Sequence, residues 1–333
     1  VVVGLHLHAS VPGYRLLSRL AAGGMAEVFL GERIAPGGAP ELVVLKRVLP
    51  HLQDDQAMVG MLKDEIRLGL ACHHPNVIAT LDSFEQDGRL HAVLEYVEGL
   101  DLATVTRALR RGGAGFSRGD AVAICMELCR GLSHLHHLTH EGAPVDVVHR
   151  DVTPPNVLLG LRGEVKLCDF GFAKSKMQRT LTAPGLIKGK FSYLSPEAAH
   201  GHDVDARADV FAVGVLLWEM LTMERLFHAA TDYETVLRVR EAHVPALRSY
   251  LGELDDEGAL QSIVTRALAR EPDARFQSAE ALYNALAAYA DWQELRSNVG
   301  ALTSRAAELR DAAPSLPPVP PVSRERPLPL RRG

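Results

Sequence analysis

The chain opens on apolar positions grouped in short runs and shifts near Gly99 to apolar positions spaced three and four apart. From Tyr14 to about Val97 the runs LAAGGMAEVFLGERI and ELVVLKRVL are rich in Val, Leu and Phe, and the turn-forming stretch Ala35 to Pro40 separates them, which predicts β-strands. A helix is expected over Gln56 to Cys72. It ends at His74-Pro75, because the residue before a proline avoids helical backbone angles. Leu90 to Val97 reads as a buried strand. Farther on, Ala121, Ile124, Cys125, Leu128, Leu132 and Leu135 share one face of a helix over Asp120 to His136. Asp205 to Thr222, Leu260 to Ala269 and Ser278 to Tyr289 are further helices. The pattern predicts an α+β protein with a β-rich small lobe over 14–97 and a helical lobe over 98–290, and a cleft between them suited to a ligand. Residues 1–13 form an extension, and 291–333 read as helical and then Pro-rich.

Composition narrows this picture. The 333 residues are 47% hydrophobic and 23% charged, as in an ordinary globular domain, and the net charge of −5 argues against a nucleic-acid partner held by a bulk basic surface. The longest apolar stretch, Val210 to Met223, is too short to span a bilayer and carries Glu219, so it reads as a helix buried on all sides. VVVGLHLH has neither the basic start nor the apolar length of a signal peptide. Cys72, Cys125, Cys129 and Cys168 form no C-x-x-C pair. They read as reduced thiols of a cytoplasmic protein, with Cys125 and Cys129 as core residues one helical turn apart. The last twenty residues hold seven prolines, too few apolar side chains for a core, and PxxP spacings at Pro314/Pro317 and Pro318/Pro321. A linker is the favoured reading of this tail, with a docking segment as the alternative.

The candidate chemistry lies in a series of polar positions along both lobes. Ala22-Gly23-Gly24 joins two strands, and glycine lets backbone N–H groups approach phosphate oxygens, although a glycine pair is more often only a turn. Val28 follows at the spacing of a residue roofing a base. Lys46 closes the strand VVLK, and Glu65, nineteen residues on in the expected helix, is its natural partner. The strongest signal is His149-Arg150-Asp151-Val152-Thr153-Pro154-Pro155-Asn156, followed by Asp169-Phe170-Gly171. Asp151 is suited to orient an attacking hydroxyl, and Asn156 and Asp169 offer hard oxygens for Mg²⁺, with Mn²⁺ as a substitute. VLLG and VKLC between them read as a hairpin that brings both ligands to one mouth. His149 and Phe170 read as core residues.

These motifs resemble those of the Hanks-type protein kinases, and most of all the bacterial eukaryotic-like serine/threonine branch, over about Tyr14 to Tyr289. The resemblance implies an ATP-dependent kinase of protein Ser/Thr hydroxyls that autophosphorylates its activation segment. It implies Leu94 as gatekeeper, Glu95 to Val97 as hinge, Asp101 as a ribose contact, and Val44 and Leu158 lining the adenine. It also implies Ser195-Pro196-Glu197 as the end of the activation segment, Asp209 opening the buried helix, and Arg275 paired with Glu197. Several positions depart from the family. Ala21 and Ala26 stand at glycine positions, Val44 replaces an alanine, Thr153 replaces a catalytic-loop lysine, and Lys190 replaces a threonine. The last two look exchanged, so Lys190 is expected to reach back toward Asp151 and the γ-phosphate, with a solvent-facing lysine as the alternative. Arg150 and Lys174 would be drawn together by a phosphate on Thr180 or Thr182. The rival readings are a nucleotide-binding pseudokinase scaffold, a dual-specificity kinase and a small-molecule phosphotransferase. The presence of Lys46, Asp151 and Asp169 weighs against the first.

Overall fold

The structure is a computed structural model that describes residues 10–11, 13–22, 26–34, 39–86, 88–140, 143–145, 147–169, 191–252 and 258–312. Its smaller lobe is a sheet of order β1-β2-β3-β4-β6-β5 with one long helix. The strands are β1 (Ser10–Val11), β2 (Tyr14–Ala22), β3 (Ala26–Arg33), β4 (Glu41–Val48), β5 (Thr80–Gln86) and β6 (Arg89–Glu95). Every neighbouring pair is antiparallel.

Strand alternation decides which side chains face the cleft. In β4, Val43 and Leu45 are fully buried and pack with Tyr14, Leu16, Phe29 and Val93. Val44 and Lys46 therefore project from the opposite face, opposite Leu94 and Ala92 of β6. Helix α1 (Gln56–Ala71) starts where the Asp55 carboxylate accepts hydrogen bonds from the amides of Ala57 and Met58. It lays Leu62 and Ile66 against Val48 and Ala92, and this packing brings Glu65 toward β4.

The helical lobe begins after the connection at Tyr96 to Glu98. The elements β7 (Gly99–Asp101), α2 (Leu102–Arg111) and α3 (Arg118–His136) come first, followed by the short hairpin β8 (Thr139–His140) and β9 (Ala143–Pro144). Strands β10 (Val157–Gly160) and β11 (Val165–Leu167) form the expected hairpin, and β7 pairs on the other side of β10. Helices α4 (Pro196–Ala199), α5 (Arg207–Thr222), α6 (Asp232–Glu241), α7 (Arg248–Leu251), α8 (Ala259–Ala267), α9 (Ala279–Trp292) and α10 (Val299–Asp311) complete the lobe. Helix α5 is buried from Ala208 to Leu221, as its uninterrupted apolar sequence predicts. It packs on α3, whose Cys125 and Cys129 are inside the same core. Among the described residues no helix is long and apolar enough to cross a membrane.

Expected and observed boundaries agree within about two residues for most elements. The main difference concerns α10. The sequence assigns 291–333 to a region beyond the helical lobe, whereas α10 buries Val299, Leu302, Thr303 and Ala306 in the lobe's own core.

One ion pair closes the bottom of the lobe. The Arg275 guanidinium, fully buried, donates to both carboxylate oxygens of Glu197 at 2.9 and 2.6 Å, and to the carbonyls of Ala269, Arg270 and Arg207. Burial pushes the Glu197 carboxyl up, but Arg275 outweighs it and holds the group below the usual range. Because the folded-state pKa is depressed, the stabilisation is present above the ordinary glutamate value of about 4.3 and is lost as pH falls through the folded pKa. Glu197→Gln strands a buried cation and should cost about 3 kcal/mol at pH 7, read by urea denaturation. The gap from wild type should close as the pH falls below about 4. A gap that stays constant from pH 7 to 3 would show that the pair does not carry the stability.

Candidate active site

The cleft is built from four pieces of chain. The first is the β4 lysine. Lys46 Nζ donates to Glu65 Oε1 at 2.7 Å and to Asp169 Oδ1 at 2.6 Å, so one ammonium joins the sheet, α1 and the end of β11. Burial pulls the Lys46 pKa down, yet the carboxylates of Asp169 and Glu65 outweigh it and keep the ammonium protonated. Burial pushes Glu65 upward, Lys46 opposes this, and Asp169 adds to the rise.

The second piece is the loop at Val147 to Asn156. Arg150 adopts a left-handed backbone, φ +63°, which is uncommon for a residue with a side chain. It is held there because Asp209, at the start of α5, accepts the amides of both His149 and Arg150 at 2.8 Å. His136 Nε2 lies 2.8 Å from the same carboxylate. The next residue, Asp151, is buried, and Asn156 Nδ2 donates to its carbonyl at 2.9 Å and to its Oδ2 at 2.8 Å. Both Asn156 bonds are made by its nitrogen, which leaves its side-chain oxygen as the acceptor suited to a cation.

The third piece is Asp169, whose backbone is also left-handed at φ +59° and whose side chain is nearly half exposed. Asn156 and Asp169 are brought together by the β10–β11 hairpin and by the Cys168 amide donating to the Asn156 carbonyl at 2.9 Å. A carboxylate and an amide oxygen facing one cleft fit a hard divalent cation that completes its shell with phosphate and water. Among the described residues no group of three His, Cys, Asp or Glu side chains forms a self-contained metal cage.

The fourth piece is the lining. Val28 lies opposite Lys46 in the β3–β4 register, and Val44 lies opposite Leu94. All three apolar side chains are partly exposed, as is Leu158 on β10. Val97, in the connection between lobes, is half-buried too. Ala22, the last residue of β2, is exposed.

Two side chains have partners that the family resemblance does not name. Asp101 caps α2, with Oδ1 accepting from the Thr104 amide at 2.9 Å and Oδ2 from the Thr104 hydroxyl at 2.7 Å. Its carboxylate thus serves as the cap of this helix. Glu95 turns its carboxylate toward Lys166 Nζ at 2.8 Å and the Ala79 amide at 2.7 Å, so only its backbone is offered to the cleft. Sequence reasoning missed both partners, and it also missed His136 beneath Asp209. The pattern Asp101-x-x-Thr104 ahead of a helix was the one signal that exposed a cap.

Gly23, Gly24, Phe170, Lys174, Thr180, Thr182 and Lys190 lie outside the described residues. Arg150 has no hydrogen-bonding partner for its side chain among the described residues. Thr153 is buried, and its hydroxyl makes no hydrogen bond among the described residues.

The chain matches the model of the protein kinase domain over residues 14–286. It belongs to the protein kinase family. The kinase is 37% identical over 274 residues to the tyrosine-protein kinase MasK of Myxococcus xanthus, covering 82% of this chain and 42% of that protein. It is 31% identical over 272 residues to the serine/threonine-protein kinase PknB of Mycobacterium leprae, covering 80% of this chain and 41% of that one. The crystal structure of the Mycobacterium tuberculosis PknI kinase domain superposes with a TM-score of 0.62 at 25% identity, covering 85% of this chain and 98% of that domain. The chain thus spans about two fifths of the length of these curated relatives. Family membership implies ATP, a divalent metal ion and a protein substrate.

Cys168 stands between the hairpin and Asp169. Burial, joined by the negative charge of Asp169, pushes its thiol well above the usual range, and Lys46 only partly opposes this. Iodoacetamide should therefore label Cys168 slowly at pH 7.5, with a rate still climbing above pH 9, and Mg·ATP should slow it further. Labelling at the rate of a free cysteine at pH 7.5 would contradict the burial seen here.

Proposed function

We propose that this domain transfers the γ-phosphate of Mg·ATP to hydroxyl groups of proteins, serine and threonine first, and that it phosphorylates its own activation segment. The observation that carries the reading is the join at Asp169. One ammonium, Lys46, binds it from the small lobe, while Asn156 anchors Asp151 beside it in the large lobe. Phosphoryl transfer depends mainly on positioning and on charge placed before the reaction begins, and both are built into this arrangement.

In this reading Lys46 holds the α- and β-phosphates, and Glu65 fixes the lysine's reach. Asn156 and Asp169 hold Mg²⁺, with Mn²⁺ as a substitute, and the bound cation supplies neutralising charge at the phosphates. Asp151 accepts a hydrogen bond from the substrate hydroxyl and directs its oxygen in line. The rigid contact from Asn156 keeps the carboxylate from rotating. Val28, Val44, Leu94 and Leu158 enclose the adenine, and the backbone from Glu95 to Val97 reads its edge. The tail beyond 312 is assigned to linking or docking. ATP as donor and cysteines without disulfide partners fit work in the cytoplasm.

The similarity to PknB, a serine/threonine-protein kinase, supports the serine/threonine preference. A second reading, tyrosine or dual specificity, is favoured by the higher identity to MasK and by Thr153 at the place of the family's lysine. Phosphoamino-acid analysis of the autophosphorylated protein decides between them, and phosphotyrosine alone would overturn the first reading.

Lys46→Ala, Asp151→Asn and Asp169→Asn should each lower kcat at least about 10²-fold with unchanged far-UV circular dichroism. Asp169→Asn should also weaken Mg²⁺-dependent ATP binding, whereas Asp151→Asn should leave ATP affinity intact. Full activity in Asp151→Asn would remove the assignment of that carboxylate.

A further inference from the structure

Helix α10 lies wholly beyond the residues matched by the family model, which end at 286. It nevertheless packs against α2, α3, β7 and β10, the elements that follow the connection between lobes and carry Leu158. Its entry is fixed at two points. The Asn298 amide donates to Asp120 Oδ1 at 2.8 Å, and the Asn298 side chain caps the helix through the Ala301 amide at 2.9 Å.

The second residue of the helix is Gly300. Glycine costs a helix about 0.5–1 kcal/mol against alanine, so its presence needs a reason. The reason is space. A Cβ at Gly300 would lie 2.7 Å from the Leu161 carbonyl oxygen and 3.1 Å from the Gly163 amide nitrogen, both in the turn between β10 and β11. Backbone meets backbone there, so no side chain can swing away to relieve the clash. The contact repeats along the helix and just before it. A Cβ at Gly112 would lie 2.8 Å from the Leu309 methyl groups, and one at Gly119 would run into the Arg296 carbonyl.

The turn that Gly300 touches is tied directly to the cleft. The Leu161 amide donates to the Glu98 carbonyl at 2.8 Å. In register, Gly160 pairs with Gly99, Leu159 with Leu100 and Leu158 with Asp101. A Cβ at Gly99 would collide with the Leu159 carbonyl, so the two strands approach backbone to backbone at this point. Helix α10 thus presses from behind on the strand whose front face lines the cleft.

We propose that α10 is a positioning element of the nucleotide site, with Gly300 setting the height of β10 and hence of Leu158 beneath the adenine. ATP affinity then depends on the docking of a helix that touches no nucleotide. The proposal rests on the reading of this cleft as the ATP site.

The test uses the full chain with Gly300→Ala, Gly300→Val and, as a control on the exposed face of α10, Arg305→Ala. Each is measured for ATP KM, for kcat at saturating ATP, for the Kd of N-methylanthraniloyl-ATP, and for Tm without nucleotide. Gly300→Val should raise KM and Kd about tenfold, the equivalent of about 1.4 kcal/mol, with kcat within about twofold. Gly300→Ala should move the same way by less, and it keeps the test readable should the valine protein fail to fold. Arg305→Ala should match wild type. Gly300 variants with a lowered Tm but wild-type KM and Kd would overturn the proposal, since the helix would then only add stability. A wild-type protein that transfers phosphate neither to itself nor to casein and does not bind the analogue would remove the nucleotide reading itself, and the proposal with it.

Discussion

The buried carboxylate of Asp209 is the contact on which the active-site geometry depends. Burial alone would push it toward the neutral form, but His136 and the amide of His149 outweigh this and hold its pKa below the usual range. The ionised group accepts from two successive backbone amides and one imidazole at a single point. This allows Arg150 to stay in a left-handed conformation that costs about 1 kcal/mol or more. With Arg150 turned this way the chain reverses direction, and Asp151 faces the cleft while its neighbour faces the end of the activation segment. Because Asp209 begins the most deeply buried helix of the protein, the catalytic loop inherits the rigidity of the core rather than of the surface.

Lys46 plays the corresponding part between the lobes. It sits on a strand whose inward neighbours, Val43 and Leu45, cannot move without disrupting the small lobe's core. Its two carboxylate partners come from different elements. Glu65 rides on α1, and Asp169 follows β11. The ammonium is shared by two negative groups, so the trio carries one net negative charge. In the proposed reading, a divalent cation held by Asp169 would offset the repulsion between Asp169 and Glu65.

Residues legible in the sequence were those whose role depends on local pattern. Val43, Leu45 and Lys46 follow from strand alternation, the Val157–Gly160 and Val165–Leu167 hairpin from two apolar runs around a turn, and the burial of α5 from its unbroken apolar stretch. The Lys46–Glu65 contact was anticipated because both residues sit on regular elements. What escaped the sequence depends on partners far apart in the chain. His136 is 73 residues from Asp209, Glu95 is 71 from Lys166, and neither pairing has a spacing to betray it. Asp101 was assigned a ligand role by resemblance, while its local pattern already described a cap. The stripe Val299, Leu302, Thr303 and Ala306 was readable as helical, but the surface it covers is made of β10 and α2, and no pattern within α10 names them.

The two left-handed residues that frame the site, Arg150 and Asp169, share a physical logic. Each is a non-glycine held at positive φ by an ion or hydrogen-bonding partner from another element: Asp209 in one case, Lys46 in the other. Their stabilities differ in kind. Asp209 and the loop amides belong to one core, and separating them would require opening the large lobe. Lys46 reaches Asp169 from the small lobe, and Asp169 is nearly half exposed, so that contact is the more screened by water of the two. The Asp151–Asn156 contact and the Asn156–Cys168 contact thus lie within the large lobe, and of the three only the Lys46–Asp169 contact joins the two lobes. This division suits an enzyme that must admit and release a nucleotide on every turnover while keeping its catalytic carboxylate aligned.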